Sequence, residues 1–304
     1  MTPPPPVEAA TVRMPGTQFV RERGNRLKEL GFAALLLIAL GIALLTLLVL
    51  LLDVAIEGAG SLSPEFFTDT PSRVDPSSSG IAPAIMGTIW LMIVCAAFII
   101  PVGVASAIYL EEYANRESRF ARFVEVNVQN LAAVPSIVYG VLGLAFLVRG
   151  PLSLGNVVMA GGLTLGLLVL PVVIVAGREA IRAVPPSIRE GSMALGATRW
   201  QTIWKQVLPA AIPGIATGTI LALSRAIGET APLIVVGATA FATTASTGLF
   251  DQFSALPIQI FGWTADPQEE FKALAAAAIL VLMAILLSMN AIAIWLRNRY
   301  EQNW

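Results

Sequence analysis

The chain has 304 residues, of which only 13% are charged, and its mean hydropathy is +0.76. Soluble domains carry about 25% charged residues, so this composition predicts a helical protein with several membrane spans. The net charge of −1 gives no general attraction to nucleic acid. The absence of histidine and the single cysteine, Cys95, exclude a Ser-His-Asp triad, an intrachain disulfide and His/Cys zinc sites.

The lysines exclude one further chemistry. None of the three follows a glycine, so the chain cannot build a P-loop. Any ATP hydrolysis therefore belongs to another chain. A non-catalytic protein without a cofactor is expected.

Six apolar segments are each long enough to cross a hydrocarbon core of about 30 Å, which takes about 20 helical residues. The first is an uninterrupted run that is longer than the core of a typical cleaved signal. An all-α, polytopic membrane protein with six transmembrane helices follows. The predicted spans are Gly31–Leu52, Ala84–Leu110, Val128–Val148, Asn156–Gly177, Ala211–Ala238 and Lys272–Leu296.

Basic residues are concentrated on one face of this topology. The tail before the first span holds five, the loop after span two holds three, the loop after span four holds five and the C-terminus holds two. The opposite face has only Arg73, Arg149 and Lys272, and Arg225 lies inside a span. The positive-inside rule therefore predicts that both termini are cytoplasmic.

The N-terminal tail, residues 1–30, is expected to lie outside the membrane domain of residues 31–304. It begins with Pro3–Pro6 and has few large apolar residues, which predicts partial disorder. Its basic stretch, Arg21 to Lys28, is interpreted as an orientation signal, and contact with anionic headgroups is the alternative.

Two long segments, residues 53–83 and 239–271, are predicted on the extracytoplasmic side. Both are rich in proline and aromatic residues. The aromatics fit interfacial anchors and a docking surface for an external partner equally well.

A polar stretch between spans four and five, the 190–209 loop, has the pattern of two short helices. Gly196 can adopt a left-handed conformation and turn the chain between them. Pro209 and Pro213 are expected to mark the entry to span five. An apolar stripe at helical spacing is formed by Trp200, Ile203, Trp204 and Val207. This stripe is typical both of a helix lying on the membrane and of one docked on a partner.

A charged pair, Arg225 and Glu229, lies inside the fifth apolar run. At 1.5 Å per residue Arg225 is roughly 21 Å past the cytoplasmic start of the span, and the i, i+4 spacing places both residues on one face. Pro232 cannot donate to the carbonyl of Gly228, which weakens the helix there. Intramembrane charges mark transport pathways, although a neutral pair that only fixes helix packing is the alternative.

Four neutral residues are candidates for hydrogen bonds along the same pathway. They are Asn130, Ser136, Tyr139 and Thr230. For these four, helix–helix hydrogen bonding is the favoured interpretation.

The 190–209 loop resembles the signature E-A-A-x3-G-x9-I-x-L-P of the integral membrane subunits of ABC importers. Gly191 and Ser192 replace the two alanines and Gln206 replaces the isoleucine, whereas four positions match: Glu190, Gly196, Leu208 and Pro209. The resemblance implies a type I importer permease fold in which this loop is the coupling helix that inserts into a groove of the ATPase. The implied coupling residues are Glu190, Gly196, Trp200, Ile203, Trp204, Leu208 and Pro209.

From about residue 60 onward the chain resembles the PstA-type permease subunits of bacterial phosphate importers. The most specific match is residues 224–233, and residues 134–140 and 255–261 match as well. This resemblance implies a location in the bacterial inner membrane, in contact with lipid, and inorganic phosphate as the solute. The implied partners are a homologous permease (PstC type), a cytosolic ATPase dimer (PstB type) and an extracytoplasmic phosphate-binding protein (PstS type).

Three other functions stay open on the residues alone. An ABC permease for another solute would share the loop. A proton-coupled secondary transporter would use Arg225 and Glu229 as its coupling pair and would need no ATPase. In an ATP-independent membrane scaffold, uptake would depend on neither Arg225 nor Glu229.

Overall fold

The structure is a computed structural model that describes residues 26–72, 74–115, 118–239, 242 and 244–300. The predicted disorder at the start of the tail lies outside these ranges. Every regular element within them is a helix, so the all-α class is confirmed. Contacts divide the chain into two units, residues 1–52 and 53–304.

The described part of the first unit is helical. It belongs to α1 (Arg26–Ala59), which contains the predicted span Gly31–Leu52. From Leu30 to Leu52 the sequence has no charged side chain, so the helix is apolar on all sides, as a membrane span requires.

The second unit contains eleven helices within the described ranges. They are α2 (Pro64–Thr68), α3 (Ala82–Ile108), α4 (Arg119–Ala132), α5 (Ser136–Gly143), α6 (Val158–Arg182), α7 (Pro186–Ala194), α8 (Arg199–Thr202), α9 (Leu208–Ile227), α10 (Ala231–Val236), α11 (Leu256–Thr264) and α12 (Glu269–Tyr300). Widened π-type turns extend α3, α5 and α8 over Tyr109–Tyr113, Leu144–Val148 and Ile203–Val207, and a single 3-10 turn covers Pro76–Ser78.

Among the described residues, five helical stretches are long and apolar enough to cross a membrane. They are Lys28–Ala59, Ala82–Tyr113, Val158–Arg182, Arg199–Ile227 and Glu269–Arg299. A sixth crossing is reached if the bent pair Arg122–Ala132 and Ser136–Val148 counts as one span. Up to six spans are therefore present by length and composition, as predicted.

The third predicted span, Val128–Val148, is not one straight helix. Its two halves meet at a bend of 104°. Pro135, in an extended conformation (φ −55°, ψ 137°), separates them. Because proline has no N–H and restricts the residue before it, the helix ends at Ala132 and restarts at Ser136.

The fifth predicted span, Ala211–Ala238, also has different ends. Its helix begins at Arg199, because α8, the π turn and α9 are continuous. Pro209 therefore does not separate the 190–209 loop from the span. In the widened turn the N–H of Leu208 donates to the carbonyl of Ile203, and this widening makes room for the proline ring one residue later. The helix ends at Ile227.

Helix α6 lies at the centre of the unit, between α3 and α9. Its side chains Leu165 and Val169 are fully buried. Small residues permit the close approach: a Cβ added at Gly214 of α9 would lie 2.7 Å from the Cβ of Ala180 on α6. This packing fixes α9, which carries Arg225, against the core.

The aromatic residues of segments 53–83 and 239–271 divide between core and surface. Phe66, Phe253 and Trp263 are at most 2% exposed, so they are core residues and serve neither as interfacial anchors nor as docking residues. Phe67 and Phe250 are 43% and 66% exposed. Phe261 is likewise exposed, at 57%, so these three are the described aromatics of the two segments that remain available as anchors or docking residues.

Candidate functional site

The charged pair lies where the fifth membrane helix breaks. Helix α9 ends at Ile227, and the N–H of Gly228 donates to the carbonyl of Arg225. Glu229 follows in a turn, its N–H bonded to the carbonyl of Ala226 at 3.2 Å. Helix α10 then starts at Ala231 with Pro232 in its first turn. The weakening predicted at Pro232 is therefore a complete break, with Arg225 in the last turn of α9 and Glu229 within the break.

The ion pair between Arg225 and Glu229 is long and faces away from the core. Arg225 Nε is 3.5 Å from Glu229 Oε1, and the side chains are 53% and 20% exposed. Ala222 and Ala226, on the adjoining side of α9, are fully buried. Within the described ranges the guanidinium of Arg225 has no other hydrogen bond or ion pair. A guanidinium at membrane depth needs protein or water over it, so this face is one that a partner subunit or an aqueous path covers.

A second break lies between α4 and α5, and two of the predicted pathway residues flank it. Asn130 is exposed in the last turn of α4, and Ser136 is half-buried at the start of α5. Tyr139 is different: it is 6% exposed, and its hydroxyl donates to the carbonyl of Leu131 at 2.8 Å. Tyr139 thus caps the end of α4, which is the structural role that the sequence favoured.

The helices that follow the two breaks, α5 and α10, pack directly against each other. A Cβ added at Gly140 would lie 2.8 Å from the Cα of Pro232. Thr230, half-buried, precedes α10. The structure therefore joins the two breaks through one helix contact and pairs Arg225 with Glu229.

The α5–α10 contact gives a testable result. We expect Gly140→Ala to lower the thermal unfolding midpoint of the purified protein, because overpacking costs about 1–3 kcal/mol and backbone atoms of Pro232 cannot move aside cheaply. Gly41→Ala is the matched control, since a Cβ there meets nothing within 4 Å. Equal midpoints for the two variants would contradict the contact.

Sequence reasoning missed Asn290 on α12. Ser224, the residue before Arg225, donates its hydroxyl to Asn290 Oδ1 at 3.1 Å. This bond ties α9 to α12 beside the charged pair. The available signal was a lone amide in the middle of the last apolar run, and such residues usually bond between helices.

The 190–209 loop has the predicted design of two helices that meet at a glycine. Gly196 lies between α7 and α8 with φ +85°, in the left-handed region. Thr198 caps α8 through a reciprocal pair of bonds with Gln201. Across the turn, the hydroxyls of Ser192 and Thr202 are 2.9 Å apart. These bonds give the turn a fixed geometry.

The apolar stripe of this loop is split between surface and core. Trp200 and Trp204 are 58% and 49% exposed, and their ring centroids are 5.3 Å apart. Ile203 and Val207 are each 1% exposed. The prediction that Ile203 is a surface coupling residue is therefore wrong, because tertiary packing turns that side of the helix inward. Among the other predicted coupling residues, Glu190 and Pro209 are exposed and Leu208 is half-buried.

A network of ion pairs connects the residues just before the 190–209 loop to neighbouring helices. Sequence reasoning did not predict it. Glu111 and Glu112 lie in the widened turn after α3. Arg182 makes two bonds to Glu111 at 3.0 and 3.1 Å, and Arg189 bonds Glu112. Arg178 pairs with Glu111 and, at 3.0 Å, with Glu125. The bonded residues are 53 to 77 positions apart in the sequence, so no local sequence pattern indicates the pairing.

Comparison with protein families decides the class of this chain. Residues 99–302 match the family described as binding-protein-dependent transport system inner membrane component. The chain belongs to this family. It is therefore an inner membrane permease subunit of an ABC importer, a class that works with an ATPase and a substrate-binding protein.

Several curated relatives of this permease subunit are similar over most of their length. It is 31% identical over 257 residues to a probable ABC transporter permease, YqgI, of Bacillus subtilis, covering 80% of this chain and 86% of the relative. It is 34% identical to phosphate transport system permease protein PstA 1 of Mycobacterium tuberculosis H37Rv (72% and 70% covered), and 32% identical to PstA of Yersinia pestis (80% and 81%). PstA phosphate permeases are thus among its homologues.

Solved structures confirm the fold. A chain of a bacterial alginate ABC transporter superposes with a TM-score of 0.66 at 16% identity, covering 92% of this permease subunit and 98% of that chain. A chain of the methionine transporter MetNI gives 0.58 at 16% identity, with 73% and 96% covered. These are type I ABC importer permeases. No group of three or more potential metal ligands occurs in the described part of the permease.

Proposed function

We propose that this permease subunit forms half of the translocation pathway of an ATP-driven inorganic phosphate importer in the bacterial inner membrane. The homologues at 32–34% identity over most of their length that are named phosphate permeases support the solute. The positive-inside distribution supports cytoplasmic termini. A homologous permease would cover the second half of the pathway, and an extracytoplasmic phosphate-binding protein would deliver the solute.

The observation that carries the proposal is the uncovered guanidinium of Arg225 at the helix break. A guanidinium matches phosphate oxygens in charge and geometry, and it binds them through two parallel hydrogen bonds. With a single long contact to Glu229, at 3.5 Å, Arg225 keeps donors for a passing anion. Glu229 would repel phosphate unless it stays paired with Arg225.

Asn130, Ser136 and Thr230 extend this proposed pathway along the two breaks. Their neutral side chains suit hydrogen bonds to a phosphate that has left water. Breaks in membrane helices are tolerated where backbone lines a cavity or is buried in protein. Both breaks therefore fit a route across the subunit.

The conformational change of the pathway would be driven by the ATPase, on which the 190–209 loop docks. Trp200 and Trp204 form an exposed aromatic pair whose rings are tilted against each other, and exposed tryptophans are typical anchors of protein interfaces. Leu195, 92% exposed beside Gly196, extends the apolar surface. Because α8 is continuous with α9, displacement of the docked loop would reach Arg225 along one helix.

The aromatic pair gives a second testable result. We expect the double change Trp200→Ala and Trp204→Ala to reduce co-purification of the ATPase with the permease at least tenfold, since each buried aromatic anchor contributes about 2 kcal/mol or more to an interface. Trp295→Ala is the control, because that tryptophan is equally exposed, at 60%, near the end of α12. Full retention of the ATPase by the double variant would contradict docking at this pair.

The proposed function is tested by uptake of radiolabelled phosphate. Cells that lack their own high-affinity phosphate permeases would receive this subunit with its partner permease, ATPase and binding protein. We expect uptake that depends on ATP, persists when the proton gradient is collapsed and resists competition by sulfate. Uptake of another solute only, or uptake that stops with the proton gradient, would overturn the proposal in favour of the two transporter alternatives.

A further inference from the structure

One arginine in the loop region contacts three different parts of the protein. Arg189, in α7, donates to Glu112 Oε1 from Nε at 2.9 Å and from Nη2 at 2.8 Å. It also donates to the carbonyls of Val184 and Ile181 at 2.6 and 2.7 Å. Glu112 belongs to the turn that extends α3, and Ile181 to the last turn of α6. A single guanidinium thus connects α7 to the ends of two membrane helices.

These contacts are shielded from solvent. The side chains of Glu112 and Arg189 are 9% and 20% exposed. Exposed ion pairs contribute little, but a buried pair that loses one partner leaves an uncompensated charge. Moving α7 away from α3 would therefore leave the Glu112 carboxylate without its partner and remove a charged donor from two carbonyls at and just beyond the end of α6. That penalty keeps the three elements moving as one.

We propose that Arg189 is a positioning residue that transmits displacement of the loop region to α3 and α6. This inference rests on the proposed function, in which the adjoining 190–209 loop docks on the ATPase. Displacement of the loop would move Arg225 through the continuous helix α8–α9. Through Arg189 it would also move α3 and α6, the helices that pack against α9. Without this link the ATPase would move α9 alone against a stationary α3 and α6.

The experiment uses the complete transporter, with its partner permease and ATPase, in proteoliposomes supplied with phosphate-loaded binding protein. Phosphate transport and ATP hydrolysis are measured on the same preparation. We expect Arg189→Gln and Glu112→Gln each to lower the phosphate transported per ATP at least fivefold. The double variant should be no worse than either single variant, because all three remove the same link. Lys272→Gln, which breaks an exposed ion pair to Glu269, should leave the ratio unchanged.

Unchanged transport per ATP in both single variants would overturn the role of Arg189. If Arg189 had a purely structural role, the variants would yield less assembled complex, but that complex would transport the wild-type amount of phosphate per ATP. This result would also count against the proposal. Failure of the wild-type complex to transport phosphate while it hydrolyses ATP would count against the proposed function itself.

A cross-link tests the same link independently of folding losses. The variant Cys95→Ala, Glu112→Cys, Arg189→Cys carries its only two cysteines at the contact. We expect low transport per ATP before treatment and recovery toward the Cys95→Ala level after a short bis-maleimide joins the two thiols. Loss of the remaining transport on cross-linking would overturn the proposal, because it would show that α7 must separate from α3 during transport.

Discussion

We expect Arg225→Ala to abolish high-affinity phosphate uptake while the protein reaches the membrane at its normal level. The side chain is 53% exposed, and within the described residues its guanidinium pairs with Glu229 alone, so its removal creates no cavity in the core. A hydrogen bond to a charged group contributes about 1.5–3 kcal/mol, so each lost phosphate contact lowers affinity by roughly tenfold to a hundredfold. The loss of two contacts would take uptake below detection at micromolar phosphate.

Two variants separate charge from geometry in this prediction. Arg225→Lys keeps the positive charge but loses the planar fork, so we expect uptake to stay well below the wild-type rate if both phosphate contacts matter. Arg149→Ala removes an exposed arginine outside the site and is the matched control. The readouts are initial rates of radiolabelled phosphate uptake and immunoblots of the membrane fraction.

Wild-type uptake by Arg225→Ala would remove Arg225 from the pathway and leave the pair as a packing feature. Equal rates for Arg225→Lys and the wild type would show that charge suffices. Glu229→Gln adds a further distinction. It lowers uptake if the negative charge of Glu229 must hold Arg225 in place between two phosphate ions, and it preserves uptake if that charge is not needed.

The sequence predicted the membrane helices because long apolar runs are a local property. It placed the break of the fifth helix near Gly228 for the same reason, since the effect of Pro232 acts within one turn. It did not place the bend in the third span, although Pro135 marks it. A proline in an apolar run is compatible with a mild kink or with a full reversal, and only packing on neighbouring helices decides between them.

The candidate site divides in a similar way. Arg225 and Glu229 were predicted from spacing, and Gly196 from the chemistry of its turn. Ile203 was misplaced because helical periodicity identifies an apolar face without saying whether the chain itself or a partner covers it. The contact of Arg189 with Glu112 joins residues 77 apart. Charges on one side of a membrane have many potential partners, so the pairing emerges only when α3 and α6 are packed together.

The turn at Gly196 gives the second large expected effect: Gly196→Val should release the ATPase from the permease while the membrane domain stays folded. A Cβ at this position would meet nothing within 4 Å, so the substitution causes no clash with a neighbour. The constraint is the backbone, whose φ of +85° a β-branched residue does not adopt without strain. The left-handed conformation costs an ordinary residue about 1–2 kcal/mol, so the turn reopens and Trp200 loses its position relative to α7.

Two glycine variants in the same loop isolate this backbone effect. Gly196→Asn should retain most of the ATPase, because asparagine tolerates the left-handed region. Gly191→Ala lies in α7 with equally open space and should retain all of it, with a slight gain in stability from the better helix former. The measurement is ATPase retained on affinity-purified permease, with the thermal midpoint of the permease as the check on folding. Retention by Gly196→Val equal to that of Gly191→Ala would show that the turn does not present the loop to the ATPase, because a Cβ meets open space at both positions and only position 196 requires a positive φ.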